Sequence, residues 1–254
     1  MNRDSHTVAA SNLAALQQNP YPGRGIVMGM DQTGRYLVQI YWLMGRSPNS
    51  RNRIFVHHPN GALETEFADQ SQAQDASLTI YTAMAEKNLK FVVSNGHQTI
   101  PVLDGKPGCG LNKLLLPWTY EPDAPNFTNR ITAVFDLNYE YEFNENEFTA
   151  EIGVLTKSSL DEQCSRSIFK MPIHMPGFGY CVTTYSGDGN PLPPFEDAPY
   201  LLPLIGDIKE IAGTMWGALN LDNRVSLAVK FIDTTTGKSE ITVINKYEQV
   251  LSGV

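Results

Sequence analysis

Strand-like runs dominate the chain, and helical periodicity is confined to its start, its middle and one late segment. Residues 4–18 carry Leu13 and Leu16 on one side, with Asp4 or Ser5 as cap and Asn19-Pro20 as stop, which predicts a short amphipathic helix. A strand over 25–30, a turn over 31–34 and a strand over 35–43 then predict a hairpin by length and turn chemistry. Further strands are predicted over 53–57, before the Asn60-Gly61 turn, and over 63–67, 78–84 and 90–94.

The middle changes character. Residues 98–116 are broken by Pro101, Gly105, Pro107, Gly108 and Gly110 yet end in Lys113-Leu-Leu-Leu, which predicts short helices on one face of a sheet. Strand patterning resumes over 131–139, 147–155 and 180–185, the first two joined by an acidic segment over 140–147. A helix is predicted over 208–219, and strands over 224–232 and 239–246 close the chain as a hairpin. About ten strands with few helices, several strands apolar on both faces, predict an α+β layered sandwich of two stacked sheets with helices outside. With no repeat and no long polar linker, this gives an N-terminal helical extension over 1–20 and a single domain over 21–254.

Composition supports a large core: 254 residues are 42% hydrophobic and only 18% charged, which excludes a disordered chain. The formal net charge of -8 repels polyanions and argues against nucleic acid or anionic membrane as a general partner. No apolar stretch approaches the roughly 20 residues that span a bilayer, and the first 20 residues lack the apolar centre of a signal peptide, so the cytoplasm is expected. Three cysteines at wide spacing, Cys109, Cys164 and Cys181, fit reduced thiols better than a disulfide framework or a zinc ribbon. No HExxH, phosphate-loop, nucleophile-elbow or dinucleotide fingerprint is present, and no metal site is expected from residue spacing.

Charge changes the picture locally. Between Arg24 and Arg53 five arginines face the single acid Asp31, an inversion of the overall sign that marks an anion site. Within it Arg46, Ser47, Asn49, Ser50, Arg51, Asn52 and Arg53 supply the donors that a phosphate needs in a tight loop after a strand, against the bland alternative of a solvated loop. Ser94, Asn95, Gly96 and His97 follow a strand end where ligands sit, or form a simple Asn-Gly turn. Glu121, in the Pro-broken loop 120–130 that also carries Asn126, is either a base or an ordinary surface carboxylate. The loop 184–195, with Thr184, Asp188 and Asn190, is either a surface excursion or a lid.

Tyr21-Pro-Gly-Arg-Gly25, Arg46-Ser47 through Asn52-Arg53, Ser94-Asn95-Gly96, Tyr120-Glu121 and Ile152-Gly-Val-Leu-Thr156, in this order and spacing, resemble the archaeal-type inosine monophosphate (IMP) cyclohydrolase family. The last hundred residues look more like its bacterial members, chiefly through the loop 183–195. The resemblance implies a four-layer αββα sandwich of the N-terminal-nucleophile-hydrolase type, without that fold's processed nucleophile. It also implies closure of 5-formamidoimidazole-4-carboxamide ribonucleotide (FAICAR) to IMP with loss of water, the final step of purine synthesis. Tyr81 and Glu121 match the family's active-site tyrosine and glutamate as proton-transfer residue and its partner, with Arg53 as cationic stabiliser. Arg46, Ser47, Asn49 and Asn52 fall to phosphate and ribose, Ser94, Asn95, Gly96 and His97 to the ligand's rim, and Arg24, Arg51, Asn126, Thr184, Asp188 and Asn190 to substrate binding. The arginine loop is two residues longer than the archaeal pattern, so Arg51 and Arg53 compete for one role. No cofactor is implied, since dehydrative ring closure is redox-neutral; the partner is a purine ribonucleotide, and a homo-oligomer is expected on family grounds. The alternatives are an amidohydrolase of the same fold class, which needs a nucleophile freed by processing, and a nucleotide-binding protein without catalysis.

Overall fold

The computed structural model describes residues 4–106, 108–138 and 148–248. Its elements in chain order are α1 (Ser5–Gln18), β1 (Gly25–Met30), β2 (Tyr36–Met44), α2 (Pro48–Arg51), β3 (Ile54–His57), β4 (Leu63–Glu66), β5 (Thr82–Lys87), β6 (Lys90–Ser94), α3 (Thr99–Leu103) and α4 (Leu111–Leu114). There follow β7 (Arg130–Asp136), β8 (Phe148–Lys157), β9 (Cys164–Ile173), β10 (Phe178–Thr183), β11 (Tyr200–Pro203), α5 (Ile208–Ala218), β12 (Arg224–Asp233) and β13 (Ser239–Asn245). One sheet runs β11-β10-β1-β2-β12-β13 and the other β3-β4-β5-β6-β7-β8-β9, and every described strand pair is antiparallel.

Three apolar clusters separate four layers. Between the sheets lie Ile26, Met28, Tyr41, Leu43, Phe91, Val93, Phe135 and Ile152. Leu16 of α1 and Ile211, Ala212 and Met215 of α5 cover the outer face of the six-stranded sheet around Trp42 and Val229. Val102, Leu111 and Leu115, from α3 and the α4 region, cover the outer face of the seven-stranded sheet over Val92, Val134 and Leu155. The central strands are buried on both faces, which is why β1, β2 and β12 read as nearly continuous apolar runs. The two-sheet α+β sandwich expected from the pattern is therefore the fold observed.

The differences are local. Residues 78–81 are not strand: Asp75 accepts from Ser77 N–H at 2.8 Å and the chain turns through Ala76 before β5 begins at Thr82. β9 was not expected, because as the edge of its sheet it carries the exposed run Ser165, Arg166 and Ser167 and then places Ile168 and Phe169 side by side, so no period-2 alternation marks it. β11 is a four-residue edge strand behind a proline-rich loop, too short to register as a pattern. The acidic connection over 140–147 and the predicted strand end at Tyr139 lie outside the described residues.

Two devices tie the arginine loop to this frame. Ser47 caps α2 by accepting from Ser50 N–H at 3.1 Å while Ser50 Oγ accepts from Ser47 N–H at 2.9 Å, a capping box that closes a single helical turn. At the far end of the same stretch, Phe55 N–H donates to Asn245 Oδ1 at 2.9 Å and Asn245 Nδ2 to Phe55 O at 3.0 Å, which joins the β3 edge of one sheet to the β13 edge of the other.

Candidate active site

The segment that leads into β1 is shaped by two glycines. Gly23 has φ +72° and sits so close to Thr184 and Tyr185 that a Cβ would fall 2.2 Å from the Thr184 hydroxyl. Gly25 lies under the buried Trp42 ring, where a Cβ would fall 1.9 Å from Cζ2, and Trp42 Nε1 donates to Gly23 O at 3.1 Å. Arg24 between them donates its N–H to the Thr184 hydroxyl at 3.1 Å and accepts from Thr184 N–H at 2.9 Å, and its side chain turns into a cleft.

That cleft, of about 400 Å³, is walled by Tyr21, Arg24, the α2 loop from Met44 to Arg53, the 75–79 turn, the 121–128 loop, Tyr185 and Leu192. At its floor Arg24 Nη2 donates to Glu121 Oε2 at 2.7 Å, and the Glu121 side chain is 2% exposed. Asn95 Nδ2 holds the other carboxylate oxygen at 3.3 Å and donates to Asn129 O at 2.8 Å, while Asn95 Oδ1 accepts from Ile131 N–H. Burial pushes the Glu121 carboxyl above its ordinary range, and Arg24 and Arg130 pull it back. Burial alone would lower Arg24, but Glu121 together with the Tyr81, Tyr41 and Tyr185 phenols outweighs it and holds the guanidinium firmly protonated.

The cationic wall is uneven. Arg46 pairs with Asp188, donates to Gly189 O at 3.1 Å and lies over the Tyr21 ring at 4.9 Å. Arg53 is buried and donates from Nε to Ser50 O at 2.9 Å and from Nη2 to Met44 O at 3.1 Å, but its Nη1 is buried without a partner. A buried guanidinium nitrogen with no acceptor carries a desolvation cost that an anion in the cleft would relieve. Asn49 also leaves its Oδ1 buried and unpartnered beside the cleft.

A second chain of polar groups lines the opposite wall. Asp123 accepts from Thr128 N–H at 2.7 Å and from the Thr128 hydroxyl, which also meets the Tyr185 hydroxyl, and Tyr185 stacks on Tyr21 at 5.9 Å. Burial raises the Tyr185 phenol well above its usual range, with Arg24 pulling against it. Behind Arg24 the Tyr41 and Tyr81 hydroxyls meet at 2.7 Å, both side chains buried between the sheets. Burial and the neighbouring Tyr81 push the Tyr41 phenol up.

The sequence profile of the IMP cyclohydrolase-like protein family matches residues 21–237. The chain belongs to that family. No curated protein matches it significantly.

Of the residues expected at the site of this family member, Arg24, Arg46, Ser47, Asn49, Arg53, Glu121 and Asn126 line the cleft. Asn95, Thr184 and Asp188 stand one bond behind it, through Glu121, Arg24 and Arg46 respectively. Tyr81 is next to that layer without being on the wall, and His97 meets its ring edge-on at 6.3 Å while its Nε2 contacts Ser77 O at 2.9 Å. The structure does not bring Arg51, Asn52, Ser94, Gly96 or Asn190 to the cleft. Arg51 instead donates to Gly45 O and Asn223 Oδ1, which braces the loop from outside, and Asn52 exchanges two hydrogen bonds with the Asp69 backbone. Ser94 turns to Thr99 at 2.6 Å, Gly96 packs against Arg130, and Asn190 is exposed.

Tyr21, Asp75, Asp123, Thr128 and Tyr185 were not expected on the cleft wall. The Glu-Pro-Asp spacing over 121–123 was the available signal for Asp123, since a carboxylate two residues on in a turn captures backbone N–H groups. Among the described residues, the one His/Cys/Asp/Glu group of metal-binding geometry is His58, Glu64 and Glu66, none of which lines the cleft.

Proposed function

We propose that the protein is an IMP cyclohydrolase that closes FAICAR to IMP with loss of water. The observation that carries this reading is the buried, unpartnered Arg53 Nη1 in one cleft with the Arg24–Glu121 pair. It couples an anion-binding cation to a positioned carboxylate, as a ribonucleotide substrate with a proton-transfer step requires. Family membership supports the same reaction class.

The chemistry asks for three things. The carboxamide nitrogen attacks the formyl carbon, forming a carbon–nitrogen bond, and the formyl oxygen becomes an oxyanion. That oxygen then departs as water with one proton from the carboxamide nitrogen and one from the formamido nitrogen. A carboxamide is a poor nucleophile, so holding it against the formyl carbon supplies much of the rate, and positive charge beside the oxygen supplies more. Arg53 is assigned to the developing charge, Glu121 to proton transfer under the orientation of Arg24 and Asn95, and Arg46, Ser47 and Asn49 to the phosphate and ribose. The Tyr41–Tyr81 hydroxyl pair beside Arg24 is assigned to relaying a proton from behind the floor.

The test separates binding from chemistry. Calorimetric titration with IMP should show affinity that falls in Arg46→Met, while Arg53→Met and Tyr81→Phe keep the affinity and lower turnover. Equal IMP affinity in Arg46→Met and the parent would remove the cleft from the reading. Unchanged turnover in Tyr81→Phe would remove the tyrosine pair from the mechanism.

A further inference from the structure

The β3–β4 hairpin carries a second constellation, on the sheet face turned away from the inter-sheet core. Glu64 and Glu66 are two apart on β4 and so project to one side, opposite Val56 and Ile54 of β3. His58 follows β3 and closes the hairpin by donating its N–H to Ala62 O at 2.9 Å, which returns its ring to that same side. Thr82 of β5 pairs with Glu64 and donates its hydroxyl to Glu64 Oε1 at 3.2 Å, leaving Oε2 for His58.

His58 Nε2 lies 3.3 Å from Glu64 Oε2 and 3.9 Å from Glu66 Oε1, and ligand atoms of all three residues fall within 4.8 Å of one another. The nitrogen is itself shut off from solvent and makes no hydrogen bond, although two carboxylates surround it. Two ligands at 2.0–2.1 Å from a tetrahedral zinc ion stand about 3.3–3.4 Å apart, the separation of Nε2 and Glu64 Oε2. Two carboxylates adjacent on one strand face also repel, which a divalent cation relieves more completely than a single imidazolium.

We propose that His58, Glu64 and Glu66 bind a divalent ion of the zinc class, with Thr82 orienting Glu64 and solvent taking the fourth position. The side chains are partly exposed, so the group lies at the protein surface. The ion pins β3, the edge strand whose preceding residue is Arg53, so its role is to hold the hairpin and not to take part in the cleft. The mixed nitrogen and oxygen donor set selects zinc over the hard cations magnesium and calcium, which prefer all-oxygen shells.

The experiment is calorimetric titration of the chelator-treated full chain with zinc, beside the same titration of three variants whose folding is checked by circular dichroism. The parent should bind one zinc per chain; His58→Ala and Glu66→Gln should lose that site, and Thr82→Val should weaken it by about 10- to 100-fold. Cobalt in place of zinc should give the visible absorption of a tetrahedral ion in the parent and not in His58→Ala. No zinc at one equivalent, undiminished binding in His58→Ala, or magnesium bound as tightly as zinc would each overturn the site. None of these readouts depends on cyclohydrolase activity, so failure here and failure of the proposed reaction are separable.

Discussion

Replacing Glu121 by Gln probes the floor of the cleft more sharply than any other single change. The carboxylate accepts from Arg24 Nη2 at 2.7 Å and from Asn95 Nδ2 at 3.3 Å. An amide has one acceptor oxygen, so one of those donors is turned against an NH2 group. The negative charge that balances Arg24 also vanishes, with Arg130 nearby to aggravate the excess. Breaking a buried pair by neutralising one partner costs about 3–5 kcal/mol, and the 12% exposure of Arg24 directs the effect to the lower end, about 3 kcal/mol. For a chain of this size about 3 kcal/mol lowers Tm by about 6–12 °C. If Glu121 also transfers a proton, turnover falls by about 10²–10⁴-fold while IMP still binds. Differential scanning calorimetry and a turnover assay on the same preparation measure both. A Tm within about 2 °C of the parent together with unchanged turnover would refute both the pairing energetics and the assigned role.

Other expectations follow from the same contacts. Glu86→Ala strands the Lys230 ammonium, 1% exposed and left with Gly61 O alone at 3.2 Å, and should cost about 3–5 kcal/mol in chemical denaturation; under 1 kcal/mol would mean that the inter-sheet pair is not buried in solution. Gly25→Ala forces a methyl into the Trp42 ring and should destabilise by about 3 kcal/mol with a shifted tryptophan emission, whereas a neutral result would contradict the packing under β1. Asp233, held down to about 2 by the Thr236 backbone N–H and by Arg35, stabilises the folded chain above its ordinary pKa, a contribution lost as pH falls toward 2. Asp233→Asn should therefore flatten the acid limb of stability between about pH 4 and 2, and an unchanged slope would remove that carboxylate from the acid response. Burial pushes the Cys181 thiol up to about 12, so iodoacetamide at pH 8 should leave it unlabelled in the folded chain, and rapid labelling would contradict its burial.

Much of the fold was legible because burial writes itself into runs of residues. β1, β2 and β12 are covered on both faces, so each is a nearly unbroken apolar stretch. β9 and β11 were not legible for the complementary reason: as edge strands they need no continuous apolar face. At the site, the density of arginine, serine and asparagine over 46–53 marked an anion-binding loop, but composition assigns no direction to a side chain. Arg51 and Arg53 are chemically identical and two residues apart; the turn that α2 makes sends one to Gly45 and Asn223 outside and the other into the cleft. Likewise Asn95 looked like a ligand group because it ends a strand, and its neighbours make it the brace of Glu121. The His58–Glu64–Glu66 group was invisible to spacing rules because it is assembled across a hairpin whose register only the fold reveals.

The central claim is tested most directly by incubating the purified chain with FAICAR, following absorbance and identifying the product by mass. The account requires IMP to form at a rate proportional to protein, and that rate to fall in Glu121→Gln. Formation of no IMP by well-folded protein, or a rate that Glu121→Gln leaves untouched, would contradict it.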